Sequence, residues 1–173
     1  MGVRLTCPSV EDAEKVRLWR NQDLAPYRTA HYITKEQQEQ FYRDHICSRD
    51  SNSRWWSVVK KVYDKELIGL TGLVGIEWEN STAEISLIMA PDIRGQGYGE
   101  QALGLLLDEG FGNMGLATIY GECYKCNPAT GFWERMVEKY KGYKTILPRR
   151  KRWQGKLYDS IHFSFLRELT WDK

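Results

Sequence analysis

The sequence predicts an α/β domain built on one mixed, mostly antiparallel sheet of about seven strands, flanked by about four helices. Three observations lead to this prediction. Apolar runs of strand length alternate with turn signals, two capping-box patterns mark helix starts, and one strand passes through a glycine-rich turn into a helix. Because the 173 residues contain no internal repeat or low-complexity segment, one domain is expected over residues 1–173.

Two helices near the amino terminus are predicted from their start signals. In each, a hydroxyl residue is followed three positions later by a side chain that can reach back to the helix start. The two pairs are Ser9 with Asp12 and Thr34 with Gln37. The helices are expected to run to about Arg20 and Ile46, after a short strand that begins at Leu5. Residues 21–32 contain a proline and lack a hydrophobic period, which predicts a loop.

The middle of the chain reads as three consecutive antiparallel strands. They cover Trp55–Lys60, Leu67–Ile76 and a segment that starts at Glu84, with a first turn at Asp64 and Lys65. A helix ending at Gly112, a strand over Leu116–Cys126 and a helix from Asn127 to Gly142 follow. The chain then closes with a hairpin of Tyr143–Leu147 and Leu157–Leu166, joined by a basic loop.

The glycine-rich turn after the third of these strands is the most informative stretch. Pro91 stops the apolar strand, and Gly95, Gly97 and Gly99 precede a helix-forming sequence. Because glycine lacks a Cβ, several backbone N–H groups can converge on one anion at the positive end of the new helix. The expected ligand is a pyrophosphate. The spacings of a nucleoside-triphosphate loop and of a dinucleotide-binding fold are both absent.

Arg94-x-x-Gly97-x-Gly99, preceded by a strand that ends in Pro91-Asp92, resembles the acyl-CoA loop of the GNAT N-acetyltransferase superfamily. Four other segments extend the likeness over nearly the whole chain, in an order that looks most like the RimJ/RimL-like branch: Trp19-Arg20-Asn21, Leu67–Gly72, Asn127-Pro128 and Gly155–Asp159. The resemblance implies a GNAT fold, splayed between strands 4 and 5 to admit acetyl-CoA. It also implies acetyl transfer to a primary amine by direct attack, without a metal.

The resemblance also assigns cofactor-binding residues. The backbone of the strand before the turn would pair with the pantetheine arm through Leu87, Ile88 and Met89. The turn itself would hold the pyrophosphate with Arg94, Gly95, Gln96, Gly97, Tyr98, Gly99 and Glu100. Asn127 matches the family's asparagine near the reactive end of the cofactor, and the sequence favours a second role for it as a helix cap.

Acetyl transfer to an amine needs few catalytic groups. Glu84 and Glu122 are two candidate bases that would accept the ammonium proton if partial burial raised their pKa toward neutrality. The tyrosine that relatives use as a general acid falls at Glu134 or Glu138 here, depending on register, and Trp133 is close to the same place. Tyr140 is the nearest phenol and the candidate acid. The alternative is a thiolate that leaves unprotonated.

The acceptor amine is left open by the sequence. Nine Lys and Arg residues between Arg135 and Lys156 face one Glu, so an acidic or phosphate-bearing acceptor is favoured over a polyamine or an aminoglycoside. The candidates are an acidic protein N-terminus, a nucleotide-linked amino sugar and aminoacyl-tRNA. The alternative interpretation is that these basic residues form a solvated turn with no binding role. A non-catalytic acyl-CoA sensor is the alternative from another class, because the expected tyrosine is missing.

The remaining composition argues for a cytoplasmic protein. No apolar run approaches the length of a membrane span, and residues 1–6 lack a signal-peptide hydrophobic region. The spacing of Cys7, Cys47, Cys123 and Cys126 fits structural free thiols better than a metal or redox site. A homodimer is an option, since similar proteins often form dimers.

Overall fold

The fold is described from a computed structural model that covers residues 2–28, 30–61 and 66–167. These residues form one seven-stranded sheet in the order β1-β2-β3-β4-β5-β7-β6. The strands are β1 Val3–Thr6, β2 Arg54–Lys60, β3 Leu67–Glu77, β4 Thr82–Met89, β5 Thr118–Tyr124, β6 Tyr143–Trp153 and β7 Lys156–Leu166. The helices are α1 Val10–Arg20, α2 Lys35–Phe41, α3 Tyr98–Asp108 and α4 Thr130–Lys139. The predicted turn at Asp64 and Lys65 lies outside the described residues.

The sheet is antiparallel except where β4 and β5 run parallel. These two strands pair only over Thr82–Glu84 and Thr118–Tyr120. Beyond Glu84, β4 keeps its pairing with β3, and β5 keeps its pairing with β7 as far as Tyr124. The two strands therefore part at their carboxyl ends, which confirms the predicted mixed sheet with a splay between strands 4 and 5.

Both predicted capping boxes are present at the helix starts. Ser9 Oγ accepts from Asp12 N at 3.1 Å, and Thr34 Oγ1 accepts from Gln37 N at 3.2 Å. The second helix is shorter than predicted, because its α-helical part ends at Phe41 and a π-helical turn continues over Tyr42–Ile46. The starts of α1 and α2 are better defined by the sequence than their ends, because in both helices only the start carries a side-chain cap.

The loop between α1 and α2 is tied back to the helix that precedes it. Asn21 donates from Nδ2 to Ile33 O at 2.9 Å and accepts from Ile33 N at 3.0 Å. The nearby Arg17 adds a third bond to the same carbonyl, at 3.0 Å. The ends of the loop are thus closed by side-chain bonds, and its middle projects toward the splay.

The main core lies where α3 and α4 pack on the sheet. Its members come from β3, β4, β5, β7 and both helices, and include Leu73, Ala83, Leu103, Leu106, Ile119, Trp133, Met136, Phe163 and Phe165. Trp133 stacks on Phe163 with ring centroids 4.5 Å apart. This core fixes α4 against β5 and β7, and so sets the width of the splay.

The basic run is strand rather than loop, which corrects the prediction for the last hairpin. β6 continues to Trp153 and pairs with β7 up to Lys156. The turn between them consists of Gln154 and Gly155, both with positive φ (45° and 76°), a two-residue connection that suits the twist of a hairpin. The sequence carries no strand signal here because residues 149–152 are all Lys or Arg and show no alternation of apolar and polar residues. Successive side chains of the strand still point to opposite faces of the sheet.

Candidate active site

A cavity of about 570 Å³ opens where β4 and β5 part. It is lined by the glycine turn, the end of β4, the start of α4 and the loop after α1. Its lining includes Pro26, Tyr27, Leu87, Ile88, Met89, Arg94, Gly95, Gly97, Gly99, Glu100, Asn127, Trp133 and Arg135. Its size is that of a pocket for a cofactor-sized ligand.

The glycine turn has the backbone that the sequence predicted. Gly95 and Gly97 have φ of 76° and 81°, in the left-handed region that favours glycine. Gly97 is the residue before α3, which starts at Tyr98, and the helix has no side-chain cap. Because the first N–H groups of a helix lack intrahelical partners, the turn presents backbone donors and the positive end of the α3 dipole at the rim of the cavity.

Two residues of the turn point elsewhere. The Tyr98 side chain is 7% exposed and packs in a second core cluster with Val3, Val58 and Ala102. Gln96 turns back and donates from Nε2 to Asp92 O at 3.2 Å. Neither side chain lines the cavity, so these residues shape the turn through their backbone, and Tyr98 anchors it to the core.

The end of β4 forms one wall of the cavity. Leu87, Ile88 and Met89 all line it. Each is paired on one side with β3, and the described residues show no ladder to β5 beyond Glu84. One edge of this strand therefore carries backbone N–H and C=O groups that can pair with an extended ligand.

Asn127 lines the cavity and lies ahead of α4 in the chain. Its Oδ1 accepts from Ala129 N at 2.8 Å, which forms a turn before the helix rather than a cap on it, because α4 starts at Thr130. No hydrogen bond from its Nδ2 to another described residue is present. The amide group is therefore fixed by the turn while its N–H₂ is available to the cavity.

Glu84 and Glu122, the two candidate bases, meet beside the splay and are both held by arginines. Arg28 donates from Nη1 to Glu84 Oε2 at 3.1 Å and from Nη2 to Glu84 Oε1. The same Nη2 is 3.8 Å from Glu122 Oε2. Arg150 Nε donates to Glu122 Oε1 at 3.0 Å. Two carboxylates and two guanidinium groups thus form one network with no net charge.

The environment of Glu122 acts against the predicted role of a base with raised pKa. Burial alone would raise its pKa, but hydrogen bonds from Arg150 and from Ser160 Oγ at 2.6 Å, with the charges of Arg150 and Arg28, lower the pKa below its ordinary value. The expectation of a raised pKa is therefore wrong for Glu122. A carboxylate so well solvated by donors is a poor proton acceptor at neutral pH.

Tyr140, the candidate acid, lies away from the cavity. Its ring packs edge-on against Phe165 with centroids 5.8 Å apart, and a Cβ placed on Gly104 of α3 would be 3.1 Å from its hydroxyl. Burial raises the pKa of Tyr140. Trp133 lines the cavity instead, whereas Glu134 turns outward to Lys144, 3.6 Å away. The structure does not bring Tyr140 together with the candidate bases.

Several residues at the cavity have no role assigned from the sequence. Arg135, which the sequence places only in the basic run, lines the cavity together with Arg94, a predicted pyrophosphate ligand. Tyr27 lines the cavity from the loop after α1, and its carbonyl accepts from the ammonium of the buried Lys151 on β6. The contacts of Arg28 with Glu84 and of Lys151 with Tyr27 span 56 and 124 residues, so no local pattern could have revealed them.

A second cavity, of about 320 Å³, lies between the first two helices and the sheet. It shares Ile88 with the first cavity. Its lining is Val16, Arg20, His31, Ile33, Gln37, Gln38, Phe41, Trp55, Leu70, Ser86 and Ile88. The two cavities therefore meet at the end of β4.

The described residues hold no group of three or more His, Cys, Asp or Glu side chains that could bind a metal ion. Within the same residues, no helix is long and apolar enough to span a membrane.

The family assignment follows from comparison with known proteins. A sequence profile described as the acetyltransferase (GNAT) domain matches residues 3–132. The chain belongs to the GNAT acetyltransferase family, whose members take the acetyl group from acetyl-CoA. The matched range includes the glycine turn and the two strands that part, β4 and β5.

The relatives that match include spermidine acetyltransferases. Over 89 residues the chain is 32% identical to the spermidine N(1)-acetyltransferase of Vibrio cholerae, a match that spans 51% of this chain and about half (49%) of the relative. A structure of spermidine N-acetyltransferase from Vibrio cholerae in complex with CoA and spermine superposes with a TM-score of 0.83, at 23% identity and over 95% of both chains. A dodecameric structure of that enzyme gives a TM-score of 0.79 at 23% identity, over 95% of this chain and 94% of the other. At this identity the structures establish the shared fold.

Proposed function

We propose that this protein transfers an acetyl group from acetyl-CoA to a primary amine by direct attack, with no covalent enzyme intermediate. The observation that carries the proposal is the cavity between the parted ends of β4 and β5. It combines a strand edge, a helix amino terminus behind two left-handed glycines, and two arginines. This donor set suits a long ligand with an amide-bearing arm and several phosphates.

The cofactor would be held along the cavity in three parts. The backbone of Leu87, Ile88 and Met89 would pair with the pantetheine arm, and the residues from Gly95 to Glu100 would bind the pyrophosphate through their N–H groups. Arg94 and Arg135 would add charge-assisted bonds to the phosphates. The free N–H₂ of Asn127 would orient the ligand near its reactive end. Bound acetyl-CoA supplies the thioester that the amine attacks.

Glu84 is our choice for the base. It lies at the last pair of the parallel ladder, where the splay begins, and its side chain is 18% exposed. It accepts two bonds from Arg28, and a carboxylate has about four acceptor positions, so an incoming ammonium or a bridging water can still reach it. Glu122 is the second candidate, and the hydrogen bonds from Arg150 and Ser160 that lower its pKa act against the role of a base.

A general acid is not required by this arrangement. Tyr140 was the sequence candidate, but its side chain packs against Gly104 and Phe165, which favours a thiolate that leaves unprotonated or takes the proton of the product amine. Binding geometry then supplies much of the rate.

The proposal is tested by measuring CoA-thiol release from acetyl-CoA with a panel of amines. The panel comprises spermidine, peptide N-termini, nucleotide-linked amino sugars and charged tRNA. Release with at least one class is the expected result. Tight acetyl-CoA binding with no release from any class would favour a non-catalytic acyl-CoA sensor.

Two classes of acceptor have separate support. The similarity to spermidine acetyltransferases favours a polyamine. The neutral Arg–Glu network and the basic β6 favour a monoamine that carries an anion, such as a nucleotide-linked amino sugar or an acidic N-terminus. Salt dependence separates aminoacyl-tRNA from the small molecules, because contacts to many phosphates weaken steeply with salt.

The finer assignments from sequence are part of the same proposal. These are the RimJ/RimL-like branch, a single domain over residues 1–173, a cytoplasmic location and a homodimer. Size-exclusion chromatography coupled to light scattering would measure the oligomeric state.

A further inference from the structure

Among the residues that the structure describes, the lining of the second cavity includes a cation and no acid. Its polar members are Arg20, His31, Gln37, Gln38 and Ser86, and the rest are apolar or aromatic. A cavity built for a polyamine would place carboxylates where the additional ammonium groups lie, because a buried charge needs an opposite charge or several hydrogen bonds. This lining therefore favours a ligand with a negative or neutral polar end.

Arg20 is the residue of this lining whose charge an anionic ligand would balance. Among the described residues it has no carboxylate within 4.0 Å, whereas its neighbour Arg17 pairs with Glu14 at 2.7 Å. Its guanidinium carbon lies 4.8 Å from the centroid of the Tyr27 ring, which it faces across the boundary between the two cavities. Burial lowers the pKa of Arg20, as expected for a cation that has lost water without gaining an anion.

The position of the second cavity relates it to the proposed chemistry. The register of β3 and β4 pairs Leu70 with Ile88, Gly72 with Ser86 and Val74 with Glu84. Successive side chains of a strand point to opposite faces, so Glu84, Ser86 and Ile88 share one face of β4. Glu84 is about 7 Å along the strand from the cavity residue Ser86. Ile88 borders the first cavity. A ligand in the second cavity thus borders the proposed acetyl-CoA site at Ile88 and contacts β4 two residues from the candidate base Glu84.

We infer that the second cavity binds the acceptor through a carboxylate or phosphate group held by Arg20, with the acceptor's amine directed along β4 toward Glu84. The identity of the ligand as acceptor rests on the proposed function, whereas the binding of an anion by Arg20 does not. Arg20 is then a specificity-determining residue that selects an anionic monoamine over a polyamine.

Four-carbon amines that differ in one end group test this inference. The set is 4-aminobutyrate, with a carboxylate, 1,4-diaminobutane, with a second ammonium, and butylamine, with neither. O-phosphoethanolamine, with a phosphate, and spermidine complete it. We expect kcat/KM for the better of the two anionic amines to exceed that for 1,4-diaminobutane about 10-fold or more. The comparison of 4-aminobutyrate with O-phosphoethanolamine tells carboxylate from phosphate.

Substitution of Arg20 makes the test specific to this site. Arg20→Gln should raise KM for the preferred anionic amine about 10- to 100-fold, with kcat changed less than about 3-fold, because a charge-assisted contact made equally in ground and transition states is lost. Arg20→Lys should restore part of the affinity, and KM for butylamine should not change. Lys15→Gln, which removes an exposed charge from the same helix, is the matched control.

Calorimetric titration of the CoA-loaded protein with the same amines separates the two proposals. If no amine gives thiol release, but an anionic amine binds and Arg20→Gln abolishes that binding, the acetyltransferase proposal fails and the anion site stands. A preference for spermidine or 1,4-diaminobutane over both anionic amines would overturn the inference. So would binding of neither anionic amine, or the same KM in Arg20→Gln and the Lys15→Gln control.

Discussion

The guanidinium of Arg28 donates to both carboxylate oxygens of Glu84, which lies 56 residues later in the chain. The contact joins the loop after α1 to the strand that forms the cavity wall. Because Arg150 holds Glu122 in the same network, the two acids beside the splay carry two matching cations. The protein's own arginines therefore already balance the two carboxylates that could pair with a second ammonium group of a polyamine.

Arg28→Gln should shift the preference of the enzyme toward diamines. The substitution leaves the carboxylate pair with a net negative charge, so kcat/KM for 1,4-diaminobutane relative to butylamine should rise about 5-fold or more. Thiol-release assays with both amines measure the ratio. Arg4→Gln on β1, an exposed arginine outside both cavities, is the control. An unchanged ratio would show that Arg28 does not set the charge that the acceptor meets.

Glu84→Gln should reduce turnover and leave cofactor binding intact. A general base contributes about 100-fold or more to rate, and glutamine keeps the shape of the side chain while losing its basicity. We expect kcat to fall by about that factor with the dissociation constant of acetyl-CoA unchanged. The exposed turn residue Glu79, changed to Gln, is the control. A larger loss in Glu122→Gln than in Glu84→Gln would transfer the role of base to Glu122.

Glu122 should contribute to stability in a pH-dependent way. Its pKa is lower in the folded protein than the ordinary value of 4.5, so the contribution is fully present above pH 4.5 and is lost as the pH falls through the folded pKa. Replacing it by Gln should cost about 1 kcal/mol of unfolding free energy at pH 7, because its partner Arg150 is half exposed. Denaturant titrations of both proteins at pH 7 and at about pH 3.5 measure the difference, which should shrink at the lower pH. A constant difference would contradict this account.

Gly97→Ala should weaken acetyl-CoA binding more than it weakens the fold. A Cβ at this position has no heavy atom within 4 Å, so the cost is backbone strain at a φ of 81°, about 1 kcal/mol. Relief of this strain rotates the first donors of α3, and the dissociation constant should rise about 5-fold or more. Gly112→Ala is the matched control, because a Cβ there is equally free of contacts and its φ is not left-handed. Equal affinity in both variants would contradict the role of the turn.

The extent to which the sequence predicted this molecule depends on the range of the interactions. The strand-turn-helix at Gly97 and the capping boxes at Ser9 and Thr34 are local, and the structure has them where the residues indicate. The Arg28–Glu84 and Lys151–Tyr27 contacts are set by the folding of distant segments against each other. The prediction of a raised pKa for Glu122 was wrong because it also depends on distant segments. The donors Arg150 and Ser160 reach Glu122 only through the pairing of β5, β6 and β7.

Tyr140→Phe should leave turnover within about 3-fold of the unchanged enzyme. The sequence proposes Tyr140 as the acid because it is the nearest phenol to the family position, but its hydroxyl lies against Gly104 on α3 and its ring packs edge-on against Phe165. A true general acid would contribute about 100-fold or more and would give kcat an alkaline limb that disappears in the variant. The pH profiles of kcat for the two proteins, measured with the same amine, decide the point. Loss of that limb in Tyr140→Phe, with at least that fall in kcat, would restore Tyr140 as the acid and require α4 to move toward the splay during turnover.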